Sequence, residues 1–219
     1  MPGVSLVFDA TEQFSTTTQV TGTAVAASYG GDVEARLAFA VVDMEAVYTN
    51  AASRATTSAD TLNVGGGEIG GETLTPGVYT FTVNVGISND LFFDAEGDPN
   101  AIFIMQGTGY LAQASYTTMT LEGGARASNI FWQIGGYVQI SVGAHMEGII
   151  LTYTNAVVQT YASLNGAIYA QSAVSLDMST ITHLASEALA TSLIIDGCGS
   201  AGGVYLGTAG DYRILTKSG

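Results

Sequence analysis

An irregular repeat runs along this 219-residue chain. Its clearest copies, AHMEGII at 144–150 and ASLNGAI at 162–168, set Met146 and Leu164 eighteen residues apart. That is the length of one coil of a β-solenoid, in which each coil buries its apolar face only by stacking on its neighbours. A third copy is TQVTGTA at 18–24, and two looser ones are TLEG at 120–123 and TIT at 180–182. If Val20, Leu121, Met146, Leu164 and Ile181 point inward, the period-two alternation of a strand turns their neighbours outward. One outward row is then Gln19, Thr120, His145, Ser163 and Thr180. The next is Thr21, Glu122, Glu147, Asn165 and Thr182, with Thr118 on the same face. These residues are small, polar and rich in Thr, as suits a flat, solvated strand face.

Other segments behave differently. Residues 101–105, 129–134, 148–151 and 166–170 are apolar on both sides, and a strand apolar on both faces is buried on both. What covers the outer face is supplied by residues 32–54. There Leu37, Val41, Met44, Val47, Tyr48 and Ala51 fall at spacings of three and four behind an Asp32 N-cap, the pattern of one amphipathic helix. A third wall is read from the alternation at 110–114, 137–141 and 173–176. With 28 Gly, only 3 Pro and abundant Thr, Val, Ile and Tyr, the composition favours short strands joined by tight turns. The expected fold is mostly β: a right-handed β-solenoid of triangular section with one long α-helix packed alongside.

Charge narrows the partners. Five Lys and Arg stand against 19 Asp and Glu, a formal charge of −14, so no basic face exists to neutralise phosphates. Nucleic acid is excluded as a partner on this ground, and anionic membrane surfaces are disfavoured. With 47% apolar residues and a mean hydropathy of +0.32, the chain is also too apolar for a disordered acidic tail. Its apolar runs are too short to cross a bilayer, and no basic segment followed by an apolar stretch opens the sequence. Cys198 is the only cysteine, which rules out an intrachain disulfide and a thiolate metal cluster.

Catalytic and metal chemistry find little support. Asp94, Glu96, Asp98 and Asn100 alternate as calcium ligands can, but a Gly-Asp-Pro-Asn turn accounts for them. His145 and His183 fall on different coils and Arg126 in a loop, so no acid–base group gathers beside a carboxylate pair. Phe131 and Trp132 are expected to pack against the helix. Gly65-Gly66-Gly67 lacks the Lys of a phosphate loop and reads as a turn. No catalytic residue, metal ligand or cofactor is assigned.

Five segments then carry a resemblance. TLTPGVY at 73–79, GDPNAIFI at 97–104, GARASNIFWQIG at 124–135, ASLNG at 162–166 and LDMSTIT at 176–182 resemble, in order, the signature segments of the microbial ice-binding (antifreeze) proteins with the domain-of-unknown-function 3494 fold. The resemblance implies a discontinuous β-solenoid with a helix alongside, a secreted monomer, and binding to ice rather than catalysis. Ice recognition asks for a flat, rigid, weakly charged face. On that criterion the binding residues are expected to be Gln19, Thr21, Thr118, Thr120, His145, Ser163, Asn165, Thr180 and Thr182, and the wall bearing Tyr110 and Tyr137 is the second candidate. An adhesin module for another surface or a polysaccharide is the alternative from a different class. One segment departs from the family order: VYLGTAGDYRILTKSG at 204–219 resembles the family's N-terminal opening but closes this chain. The domain plan is therefore a solenoid over 1–196, a Gly-rich linker at 197–203, and a segment at 204–219 expected to form a strand of the same solenoid. Either a circular permutant or a fragment of a tandem array fits this order.

Overall fold

The computed structural model describes residues 7–11, 13–17, 20–26, 28–182 and 214–216. Parallel strands wind through three walls. The first is a seven-stranded sheet built from Gly77–Phe81, Phe103–Gly107, Ile130–Ile134, His145–Thr152, Ser163–Ala170, Thr180–Thr182 and Ile214–Thr216. The second is a five-stranded sheet of three-residue strands: Val85–Ile87, Leu111–Gln113, Val138–Ile140, Ala156–Val158 and Val174–Leu176. Thr73–Leu74, Leu91–Asp94 and Met119–Glu122 form the third wall. The first halves of the two eight-residue strands carry it onward through one parallel bridge, Thr118 to His145.

Alternation fills the interior. Phe81, Phe93, Phe103, Met105, Ile130 and Trp132 belong to a single buried cluster inside the coils. Phe93 meets Phe103 edge to face at 5.2 Å and Trp132 at 6.0 Å. The Trp132 indole N–H donates to the Glu147 carbonyl at 2.9 Å, so its one polar atom is satisfied in the core. This corrects the expectation for Trp132. Its neighbour Phe131 does lie against the helix, and strand alternation then sends Trp132 the other way, into the solenoid.

The helix runs over Val33–Ala52, slightly inside its expected bounds. Ala40, Met44, Val47 and Ala51 pack on Ile104, Phe131, Ile149, Leu151, Ala167, Tyr169 and Leu215. These are the outer faces of the strands read as apolar on both sides. Each fully buried Met or Val in such a seam contributes about 1.5–3 kcal/mol. At the helix end, buried Gln106 donates through Nε2 to the Ala51 and Arg54 carbonyls at 2.6 and 2.7 Å. A strand side chain thereby ties down two carbonyls at the end of the helix, that of Ala51 being also reached by the Arg54 amide at 3.4 Å.

The first repeat copy does not form a coil. Val20–Ala24 pairs antiparallel with Ser15–Thr17, which pairs antiparallel with Val7–Phe8. Among the described residues this small sheet shares no strand with the solenoid. Only two residues separate Ser15–Thr17 from Val20–Ala24, enough for a hairpin and far too few for a crossover to a parallel strand. Thr21 therefore lies off the solenoid wall, and Gln19 lies outside the described residues, as do His183 and Cys198.

Candidate functional site

Two walls are free of the helix. On the third wall seven of the nine expected residues come together, in a shifted register; Thr21 lies in the hairpin sheet and Gln19 outside the described residues. The Thr118–His145 bridge puts Thr118, not Thr120, on the row of His145, Ser163 and Thr180. Thr120 lies two residues further on, level with Glu147, Asn165 and Thr182. Met119 and Leu121 share one orientation, so alternation fixes the face but not a shift of two residues.

Within this wall the polar groups bond mainly to one another. The Ser163 hydroxyl and His145 Nδ1 are 2.8 Å apart, and His145 Nε2 and Glu147 Oε1 are 2.9 Å apart. Asn165 Nδ2 donates to Glu147 Oε2 at 2.9 Å. Glu147 is only 7% exposed. Thr118, Thr180 and Thr182 are exposed, while Thr120, His145, Ser163 and Asn165 are half-buried. The face also carries Asp90, whose carboxylate accepts the Thr118 amide at 2.7 Å, and Phe92, Asp94 and Glu122 on the neighbouring strands. It is charged, internally bonded, and seamed where a single bridge joins its two parts.

The five-strand wall is more regular. Val85, Leu111, Val138, Ala156 and Val174 pair in unbroken parallel register, and all point inward except at the rim. Alternation turns Gly86, Ala112, Gln139, Val157 and Ser175 outward as the central row. Coils are stacked at about 4.7–4.9 Å, and alternate residues along a strand recur at about 6.6 Å. A second outward row, Ser88, Ala114, Ser141 and Gln159, follows on the next ladder step. The row before the strands holds Asn84, Tyr110, Tyr137, Asn155 and Ala173. Between Glu68, which bridges to Gly86 and whose carboxylate accepts the Ser88 amide at 2.9 Å, and Asp177 at the last coil, these three rows contain no charged side chain. Gln139 Nε2 donates to the Ser141 hydroxyl at 3.1 Å, which ties two rows together. In the sequence, Tyr110, Tyr137 and the 173–176 alternation signalled this wall. The strands Val85–Ile87 and Ala156–Val158 were missed, because three residues are too few to show a period.

The acidic turn holds itself. Asp94 Oδ1 accepts the Glu96 amide, and Asp98 Oδ1 accepts the Asn100 amide, each at 2.8 Å. Among the described residues no group of three His, Cys, Asp or Glu side chains is placed to hold a metal ion, and no helix is long and apolar enough to cross a membrane.

Comparison with known proteins agrees with this architecture. An ice-binding protein of Flavobacterium frigoris (strain PS1) is 42% identical over 169 residues, covering 75% of this chain and 60% of that protein. One from Leucosporidium sp. (strain AY30) is 37% identical, covering 82% of this chain and 67% of its own length. The chain thus spans about three fifths to two thirds of these relatives. Among solved structures, the antifreeze ice-binding protein LeIBP from an Arctic yeast aligns with a TM-score of 0.77 at 37% identity, over 82% of this chain and 76% of that one. The Shewanella frigidimarina ice-binding protein domain aligns with a TM-score of 0.65 at 29% identity, over 73% of this chain and 67% of that one. A family model described as Ice-binding-like matches residues 1–182, and with a coiled three-wall fold that agrees with those of its relatives, the chain belongs to the ice-binding-like family.

Proposed function

We propose that this protein binds ice, and does so through the five-strand wall. One observation carries the choice of wall: five strands in continuous parallel register present rows of small, uncharged residues, Gly86, Ala112, Gln139, Val157 and Ser175 at the centre. Ice is a rigid lattice that cannot mould itself to a protein. A face that is stiff, flat and weakly hydrated in competing geometries can hold an ordered water layer against it. Charged groups bind their own water too strongly for that; the third wall carries several across its face, whereas the five-strand wall carries them at its two ends, Glu68 and Asp177. The acidic excess resides mainly on the helix, the loops and the third wall, where it favours solubility. The relatives are named ice-binding and antifreeze proteins, and the same reading takes this one as an extracellular monomer whose partner is an ice crystal.

No catalytic role belongs to this reading. Ser163, His145 and Glu147 resemble a nucleophile, a base and its orienting group. The amides of His145, Ser163 and Thr180, however, all donate to ladder carbonyls, which leaves none of these three N–H groups to hold a developing oxyanion.

A second reading keeps the third wall as the ice face, on the observation that Thr118, Thr180 and Thr182 expose hydroxyl and methyl groups there. Substitution separates the two. Ala112→Tyr and Ser175→Tyr raise a ring from the five-strand wall and should abolish most thermal hysteresis, with the unfolding temperature nearly unchanged. Thr182→Tyr should retain it. The opposite pattern moves binding to the third wall, and absence of hysteresis and ice shaping in the unsubstituted protein defeats both.

A further inference from the structure

The outward rows of the five-strand wall carry one pair of large rings. Tyr110 and Tyr137, on adjacent coils of the row that borders the helix side, lie with rings parallel to within 10° and centroids 4.9 Å apart. Each residue is 37% exposed, so each ring is in part covered by its neighbours and in part open to solvent. The same row continues as Asn155 and Ala173 on the next two coils, and the central row beside the rings holds Ala112 and Gln139. Two large rings therefore stand beside shorter side chains on the middle coils of this face.

A single exposed tyrosine swings between rotamers and can fold out of the way. A stacked pair cannot, because the ring separation equals the coil spacing and each ring blocks the rotation of the other. Tyr110 is held further from below, since Asn84 Oδ1 accepts its backbone amide at 3.2 Å. The pair is thus a fixed step on the second and third of five coils. A planar crystal surface laid on this wall meets the step first and is held off the residues around it.

Resting on the ice-binding reading above, we infer that the stacked Tyr110–Tyr137 pair limits the strength of binding: it confines the flat contact to the inner rows and the last two coils, and its removal enlarges the working face. The fold does not depend on the pair. Leu111 and Val138, the neighbouring inward residues, fill the core, and Thr suits an exposed strand position as well as Tyr does.

The test compares thermal hysteresis of the unsubstituted protein with that of Tyr110→Thr/Tyr137→Thr at equal concentration, with unfolding temperature and far-ultraviolet circular dichroism confirming the fold of each. A severalfold rise in hysteresis is expected for the double variant. A second variant, Asn155→Tyr, extends the stack onto the fourth coil and should lower hysteresis; it keeps the inference testable if the double variant folds poorly. Tyr161→Asn, on the corner turn outside the three rows, should leave hysteresis unchanged. Hysteresis in the natural protein with no rise in the folded double variant overturns this inference alone. A fall in the double variant also overturns it, since the rings would then be contacts. No hysteresis in any of these proteins overturns the ice-binding reading together with the inference.

Discussion

At the scale of single residues, close backbone approach decides where substitution is tolerated. The two eight-residue strands turn the corner between the third wall and the helix wall at Gly148 and Gly166, which pair in register. Gly148 has φ of 111°, and a Cβ on Gly166 would lie 1.8 Å from the Gly148 carbonyl oxygen. That neighbour is backbone inside a ladder and cannot yield. Gly166→Ala should therefore cost about 2–3 kcal/mol or more, read as a lower midpoint in chemical unfolding. Another corner shows the opposite economy. Tyr116, Tyr161 and Met178 stack on successive turns with φ of 62°, 59° and 44°, and the intervening coil has Gly143 at 66°. Side chains in this region cost about 1–2 kcal/mol each, so only the ladder on either side holds three bulky residues there. The sequence announces the glycines at such corners but not the tyrosines.

Among the elements, the helix was the most legible. Its 3.6-residue period survives because one face is buried along its whole length, and Val33–Ala52 lies within two residues of the expected ends. Its seat was legible for the same reason: residues such as Ile104, Phe131 and Ile149 have no cause to be apolar on an outer face unless something covers it. The polar contact at its end was not foreseen. Gln106 lies in an apolar strand more than fifty residues from Ala51 and Arg54 in sequence. Gln106→Leu keeps the volume but removes the donor from both carbonyls, and should cost about 1–3 kcal/mol. Differential scanning calorimetry would show this as a lower unfolding temperature. An unchanged temperature would mean that water replaces the amide. Local rules also misplaced residues 18–24: their resemblance to a coil was real in pattern, but the two-residue connection made them part of a hairpin.

Across the whole molecule, the last coil is assembled from two distant pieces. Thr180–Thr182 pairs with the first part of Ser163–Ala170, and Ile214–Thr216 pairs in parallel with Ile168, Tyr169 and Ala170 in its second part. Leu215 is 4% exposed and belongs to the cluster beneath the helix. If 204–219 is an integral, permuted part of the domain, deleting it uncovers a strand edge and the helix seam. Leu215 alone then accounts for a loss of about 1.5–3 kcal/mol. If the segment belongs to a neighbouring domain of an array, the truncated protein keeps its unfolding temperature. Thermal unfolding of full and truncated chains decides between the two.

What the sequence determined by itself follows from periodicity and composition: a coiled β architecture, one amphipathic helix, the strands buried on both faces, a surface poor in charge, and no basic face for nucleic acid. What only the tertiary structure decided is register. Coils differ in length, with eighteen positions between Val138 and Ala156 but twenty-seven between Leu111 and Val138. A shift of two residues leaves every side chain on the same face, so no local pattern aligns Thr118 rather than Thr120 with His145. The flatness of a wall depends on that alignment across five coils. It arises from hydrogen bonds between segments distant in sequence, so the wall that Tyr110 and Tyr137 signalled could be set in register across five coils, and preferred as the proposed ice face, only in the folded molecule.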